Sequence, residues 1–214
     1  MERPPVKQRT RPKLAIFDMG GVMVDGHDVV PGMAADIGVE AQELRRMLGA
    51  AGAEDLSEGK GTAAEFWRRF EAQTGLRLPG EPWADYFHPR RRPAMYALVE
   101  SLQAAGVRVV AGTNTLDPHY QAHLGAGDYD VFDHTYASNL MGVAKPAPEF
   151  WLRILAAEGV EPGEAVFVDD VPENVAGAAS VGLHAVLFES QEQVRAAVEE
   201  AFGLAGLVAG HGRS

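Results

Sequence analysis

The sequence predicts an α/β fold: a doubly wound, Rossmann-like parallel sheet core with a small all-helical unit inserted after the first strand. Three observations carry this expectation. Short apolar runs recur along the chain with helix-patterned segments between them, the pattern left by parallel strands joined through right-handed helical crossovers. The first run, KLAIFD over residues 13–18, stops at a carboxylate with Gly20 and Gly21 close behind it, as a buried strand emptying into a loop would. Between that run and Pro93 the periodicity is helical and no convincing strand appears. The 214 residues, 46% of them apolar, are enough for one substantial core plus a small appendage.

The elements follow in order. Residues 1–12 hold Pro4, Pro5 and Pro12, and the first thirteen residues carry a net charge of +4. With no apolar segment of the kind a secretory signal needs, this basic arm is expected to be a disordered leader. Residues 13–18 form the first strand. Residues 41–51 and 62–74 read as helices of the inserted unit, and Phe66, Trp67 and Phe70 give the second of them an apolar face suited to packing. Met95, Leu98, Val99 and Leu102 mark a helix over residues 93–105, with Gly106 where a C-cap glycine belongs. Strands are expected at 107–111, 165–168 and 184–188, with a weaker one near 134–137. Helices are expected at 148–158, 172–181 and 191–202, the first two stopped by Gly159 and Gly182. Residues 13–25 and 93–202 thus make the core, 26–92 the helical unit, and the glycine-rich 203–214 a flexible tail.

Composition excludes several functions. The net charge is −11, and −15 without the basic arm, so the long-range field repels nucleic acid and anionic membrane. A phosphorylated ligand must be attracted locally. With no cysteine there is no disulfide, thiolate zinc site or cysteine nucleophile, a composition compatible with a reducing cytoplasm. No apolar run approaches the roughly 18 residues that span a bilayer. The expectation is a cytoplasmic protein, monomer or homodimer.

In an open α/β sheet, ligands bind beyond the carboxyl ends of the strands. That rule selects Asp18 in FDMGGV, Thr113 and Asn114 in AGTNT, Lys145 in AKPAPEF, and Asp169 with Asp170 in FVDDVPEN. A carboxylate can attack phosphorus covalently, provided a cation offsets its repulsion from an anionic phosphate. Mg²⁺ suits all-oxygen ligands, and Asp18 and Asp170 can share it. Thr113, Asn114 and Lys145 offer hydrogen bonds and positive charge to phosphate oxygens. Two adjacent carboxylates at a strand end repel each other, and a divalent ion is the simplest reason to tolerate them; capping the following helix is the plainer use. Alone, Lys145 reads as a surface lysine, and His88 with Arg90, Arg91 and Arg92 reads as a solvated hinge.

FDMGGVMVD, TNT, KPAPEF and VDDVPEN, in this order and spacing, resemble the four motifs of haloacid-dehalogenase-like (HAD) hydrolases, over residues 13–188. The wording is most similar to the sugar-phosphatase and epoxide-hydrolase N-terminal-like branch. The resemblance implies Asp18 as nucleophile, Thr113 and Lys145 as phosphate ligands, Asp170 as the main metal carboxylate, Asp169 as a water-mediated one, and the Gly20 carbonyl as a further ligand. It also implies that residues 26–92 are a cap closing over a small phosphorylated metabolite, a sugar phosphate among the substrates. Gly20 stands where that family's phosphatases usually carry an acid/base Asp. Asp25 and His27, just downstream, can each supply a proton if folded back over the site, and Glu173 or Asn174 can hold Lys145 or a metal-bound water. The expected activity is Mg²⁺-dependent hydrolysis of a phosphate monoester through an aspartyl-phosphate. The alternatives are a metal-free 2-haloacid dehalogenase on the same fold and a non-catalytic phosphate-binding module.

Overall fold

The structure, a computed structural model, describes residues 12–204. From the N-terminus the elements are β1 (Leu14–Phe17), β2 (Val24–Asp25), helices α1 (Val30–Ile37), α2 (Ala41–Ala50), α3 (Ala53–Ser57), α4 (Ala63–Thr74) and α5 (Pro82–Asp85), then β3 (Arg90–Arg91), α6 (Pro93–Ala104), β4 (Arg108–Thr113), α7 (Asp117–Gly125), β5 (His134–Ala137), α8 (Ser138–Met141), α9 (Pro148–Glu158), β6 (Ala165–Asp169), α10 (Pro172–Ser180), β7 (His184–Leu187) and α11 (Gln191–Ala201). The leader, Pro12 apart, and the tail beyond Leu204 lie outside the described residues.

Five parallel strands form one sheet in the order β5-β4-β1-β6-β7. Phe17 pairs with Ala111 on one side and Val168 on the other, so β1 is central. The chain builds outward from β1 through β4 and β5, then returns across it to β6 and β7, which makes the carboxyl end of β1 the topological switch point. All four β1 residues are buried. Their alternation divides two apolar layers: Ala15 and Phe17 pack with Met95, Leu98 and Val198, while Leu14 and Ile16 pack with Phe150, Trp151 and Phe167.

The helical segment α1–α5 has an apolar cluster of its own around Met33, Leu44, Phe66, Phe70 and Trp83. Phe66 and Phe70 are fully enclosed, and Trp67 meets Phe66 edge-on at 5.0 Å, so these aromatics serve packing. Helix α4 starts on a capping box, in which Thr62 Oγ1 accepts from the Glu65 amide and the Glu65 carboxylate accepts from the Thr62 amide.

One expectation is corrected. The stretch before Pro93 does contain strands: β2 and β3 pair antiparallel, Val24 with Arg91 and Asp25 with Arg90, exactly where the chain enters and leaves the helical segment. Two-residue strands are too short to show alternation, and their pairing partner lies 65 positions away. The basic cluster therefore has structural employment. Arg91 Nε donates to Asp128 Oδ1 at 2.6 Å, and Arg92 Nη2 donates to Asp25 Oδ1 at 2.5 Å. No helix among the described residues is long and apolar enough to cross a membrane.

Candidate active site

Three strand ends and one loop assemble the site. Asp18 directly follows β1, Thr113 ends β4, Asp169 ends β6 with Asp170 next, and Lys145 precedes α9. Lys145 is 5% exposed, and its Nζ donates to Asp18 Oδ1 at 2.7 Å and to Asp169 Oδ2 at 2.6 Å. A buried ammonium with two carboxylate acceptors is compensated, whereas alone it would cost several kcal/mol. The Lys145 main chain is held as well: its amide donates to Asn114 Oδ1 and Asn114 Nδ2 donates to its carbonyl, both at 2.8 Å. The amide that sequence reasoning allotted to phosphate thus spans to the lysine loop and fixes it.

Asp169 is fully enclosed and saturated. Besides Lys145 it accepts from the Val171 amide at 2.8 Å and from Asn174 Nδ2, which lies 3.1 Å from each oxygen. Asn174, on the first turn of α10, therefore serves Asp169 and not Lys145, while Glu173 is exposed. Asp170 is partly exposed and accepts no side-chain hydrogen bond among the described residues. Thr113 is 3% exposed, and its hydroxyl makes only a long 3.4 Å contact to the Asn114 carbonyl, which leaves it free for a ligand.

Burial pushes the Asp18 carboxyl up to about 6, with Lys145 pulling against it and Asp169 adding to the rise. Burial raises Asp170 too, again helped by Asp169. On Lys145 burial works against the charge, but Asp18 and Asp169 outweigh it and raise its pKa. The cluster holds three carboxylates against one ammonium, two net negative charges in a small volume. One oxygen from each of Asp18, Asp169 and Asp170 falls within 4.8 Å of the others. Hard oxygen donors, an uncompensated double charge and an Asp170 carboxylate with no cationic side chain bonded to it among the described residues fit Mg²⁺.

The Gly20-Gly21 pair makes room for side chains from elsewhere. Gly21 has φ +74°, and a Cβ there would lie 1.9 Å from Asp170 Oδ2. A Cβ on Gly20 would lie 2.8 Å from His27 Cδ2 and 3.2 Å from His27 Nε2. The His27 ring thus occupies the space that a side chain at position 20 would enter. Asp25, the other downstream candidate, is bound to Arg92 in the β2–β3 ribbon.

A family model for haloacid dehalogenase-like hydrolases matches residues 12–182. The chain belongs to that family. It is 32% identical to a sesquiterpene phosphatase of Aspergillus oryzae over 177 residues, 80% of this chain and 87% of the relative. Three other curated relatives are matched over less than a quarter of their length. Among solved structures, a HAD-like hydrolase from Porphyromonas gingivalis is 25% identical, with a TM-score of 0.70 over 89% of this chain and 98% of that one. A HAD family enzyme from Bacteroides thetaiotaomicron, 22% identical and solved with magnesium and inorganic phosphate, shares the fold with a TM-score of 0.67 over 82% of this chain and 93% of its own. The chain is a hydrolase of the HAD family. Sequence reasoning missed Ser138, whose Oγ accepts from the Thr115 amide at 2.9 Å and so ties the ends of β4 and β5 together, and it left open whether Asp25 or His27 folds back over the site, which the structure answers with His27 beside Gly20.

Proposed function

We propose that this HAD-family hydrolase is a Mg²⁺-dependent phosphatase acting on small phosphate monoesters through Asp18. The observation that carries the reading is the buried Asp18–Lys145–Asp169 chain with the Asp170 carboxylate beside it. A metal-free dehalogenase gains nothing from two extra carboxylates next to its nucleophile, whereas a metal-assisted phosphatase needs them.

Asp18 attacks phosphorus, the bond from phosphorus to the ester oxygen breaks, and its electron pair leaves with that oxygen. Lys145 and the Thr113 hydroxyl face the phosphate oxygens and balance their charge. Water then attacks the phosphorus of the aspartyl-phosphate, and rupture of its bond to Asp18 restores the carboxylate. His27, seated over Gly20, passes a proton to the departing ester oxygen and takes one from the attacking water. Asp18, Asp170 and the Gly20 carbonyl would hold Mg²⁺, with Asp169 anchoring Lys145 alongside; the ion supplies charge neutralisation between carboxylate and phosphate. Residues 26–92 act as the cap over this site.

The test is p-nitrophenyl phosphate hydrolysis by wild type and Asp18→Asn, each with Mg²⁺ and with excess chelator. Wild type with Mg²⁺ turns over, and either change reduces kcat by about 10³ or more. A folded wild-type protein that is inactive with Mg²⁺ sinks the reading.

A further inference from the structure

A second cavity, of about 320 Å³, opens where the helical segment meets the carboxyl edge of the sheet. Its core wall is built by the segments that directly follow the ends of β4 and β5. Thr113 and Ala137 are register partners at the ends of β4 and β5, and the wall residues Leu116 and Asn139 follow them by three and two positions. Three residues of chain span at most about 11 Å, so the cavity lies within one small molecule of the Thr113 hydroxyl. Its rim is rigid. Gly59, at φ +70°, approaches so closely that an added Cβ would lie 2.2 Å from the Asn139 carbonyl oxygen.

The lining is apolar where it faces the cavity from both sides: Leu56 and Ala63 from the helical segment, Leu116, Pro118 and Leu140 from the core. Leu140 is 64% exposed, an unusual state for a leucine beside a polar site, and Val171, next to Asp170, is 40% exposed. No lysine, arginine or histidine lines the cavity, and Asp117 does. A second phosphate, a carboxylate or any other anionic group on the substrate would meet an acid there and no cation. The polar side chains of the lining are few: Thr62, whose hydroxyl is engaged with Glu65, Asp117, and Asn139, whose Oδ1 is buried.

Building on the phosphatase reading, we propose that this cavity receives the leaving group, and that the substrate class is the monophosphate of an uncharged, largely apolar alcohol. Its size is at the lower end of small-molecule sites, about 300–1,000 Å³, which suits a branched or linear hydrocarbon chain of moderate length. The absence of a lining cation separates this class from sugar bisphosphates and nucleotides, and the Leu56, Ala63, Leu116, Pro118 and Leu140 surfaces separate it from polyhydroxylated sugars, most of whose hydroxyls would be buried against carbon.

The experiment compares kcat/KM on geranyl phosphate and a butyl-to-octyl phosphate series with glucose 6-phosphate and fructose 1,6-bisphosphate, in the Mg²⁺-loaded full chain. Apolar substrates are expected to exceed both sugar phosphates by roughly tenfold or more, rising by about two- to fourfold per methylene until the cavity is filled. Ala63→Phe fills the cavity and Leu140→Asp charges its exposed mouth. Each should lower geranyl phosphate turnover roughly tenfold while acetyl phosphate, whose two-carbon leaving group is too short to fill the cavity, stays within about threefold of wild type. Calorimetric binding of geraniol, present in wild type and lost in both variants, reads the cavity without chemistry. Sugar phosphates used as well as geranyl phosphate, or variants that leave geranyl phosphate turnover unaffected, overturn the proposal. If p-nitrophenyl phosphate is not hydrolysed at all, the phosphatase reading has failed, and the geraniol titration alone then decides whether the cavity binds an apolar alcohol.

Discussion

Lys145 and Asp18, 127 positions apart in sequence, meet at 2.7 Å with the lysine almost wholly enclosed. The contact opposes the effect of burial on Asp18: burial raises its carboxyl, Lys145 pulls it back down, and the balance, with Asp169 adding to the rise, stands at about 6.

Replacing Lys145 should therefore affect both chemistry and stability. Lys145→Ala leaves Asp18 and Asp169 facing each other without a cation, and activity on p-nitrophenyl phosphate should fall by about 10²–10³. Thermal melting should drop as well, by less when Mg²⁺ is present to take up part of the charge. Lys145→Arg should not restore activity, because the guanidinium is larger and planar where a compact point charge bridges two acids. Full activity in the arginine variant would contradict this account.

Gly21→Ala should disable the site without touching a charged group. The new Cβ collides with Asp170 Oδ2, and φ +74° adds backbone strain of about 1 kcal/mol. The expected signature is a raised Mg²⁺ concentration for half-maximal activity with a modest loss of melting temperature. An unchanged metal dependence would mean that Asp170 is not a ligand.

His27→Ala should discriminate by leaving group. An alkyl phosphate needs its departing oxygen protonated and should lose about 10²-fold or more in kcat, while p-nitrophenyl phosphate should lose far less. Gly20→Ala pushes against the same ring and should reproduce part of the effect. Equal losses on both substrates would assign His27 a merely structural role.

His119 gives a pH dependence of folding. It stacks on Phe87 at 3.9 Å, and burial lowers its pKa to about 4, against an ordinary value of 6.5. The unfolded chain therefore binds a proton there at a higher pH than the folded one, so stability is complete above pH 6.5 and declines as pH falls from 6.5 towards 4. By pH 5 the loss is on the order of 2 kcal/mol. Chemical denaturation at pH 7.5 and 5 should show a smaller difference for His119→Phe than for wild type; an equal difference would place the dependence elsewhere.

What was legible in sequence had a local signature. Asp18, Lys145 and the Asp169–Asp170 pair stand at the ends of apolar runs or before a proline-started helix, and the longer helices declared themselves by spacing and by glycines at their ends. Helices α1, α3, α5, α7 and α8 were not foreseen. Four of them have eight residues or fewer, and α7 encloses only His123, so no apolar stripe marks it. The job of Asn114 depends on a partner 31 positions away, and the seat of His27 on a ring folding back over a glycine seven positions upstream. Side-chain partnerships of that kind are set by packing, on which a one-dimensional pattern carries no information.

The β2–β3 ribbon has a consequence for how this protein can diversify. Because the outgoing and returning chains are paired as neighbours, Asp25 beside Arg90, everything between them is a closed excursion whose two ends already touch. A helical segment of different length or sequence spliced across that ribbon is expected to leave Asp18, Thr113, Lys145 and Asp170 in place. On the proposed reading the ribbon separates the two tasks, holding the reacting groups in the sheet and leaving the helical segment joined to them at one place.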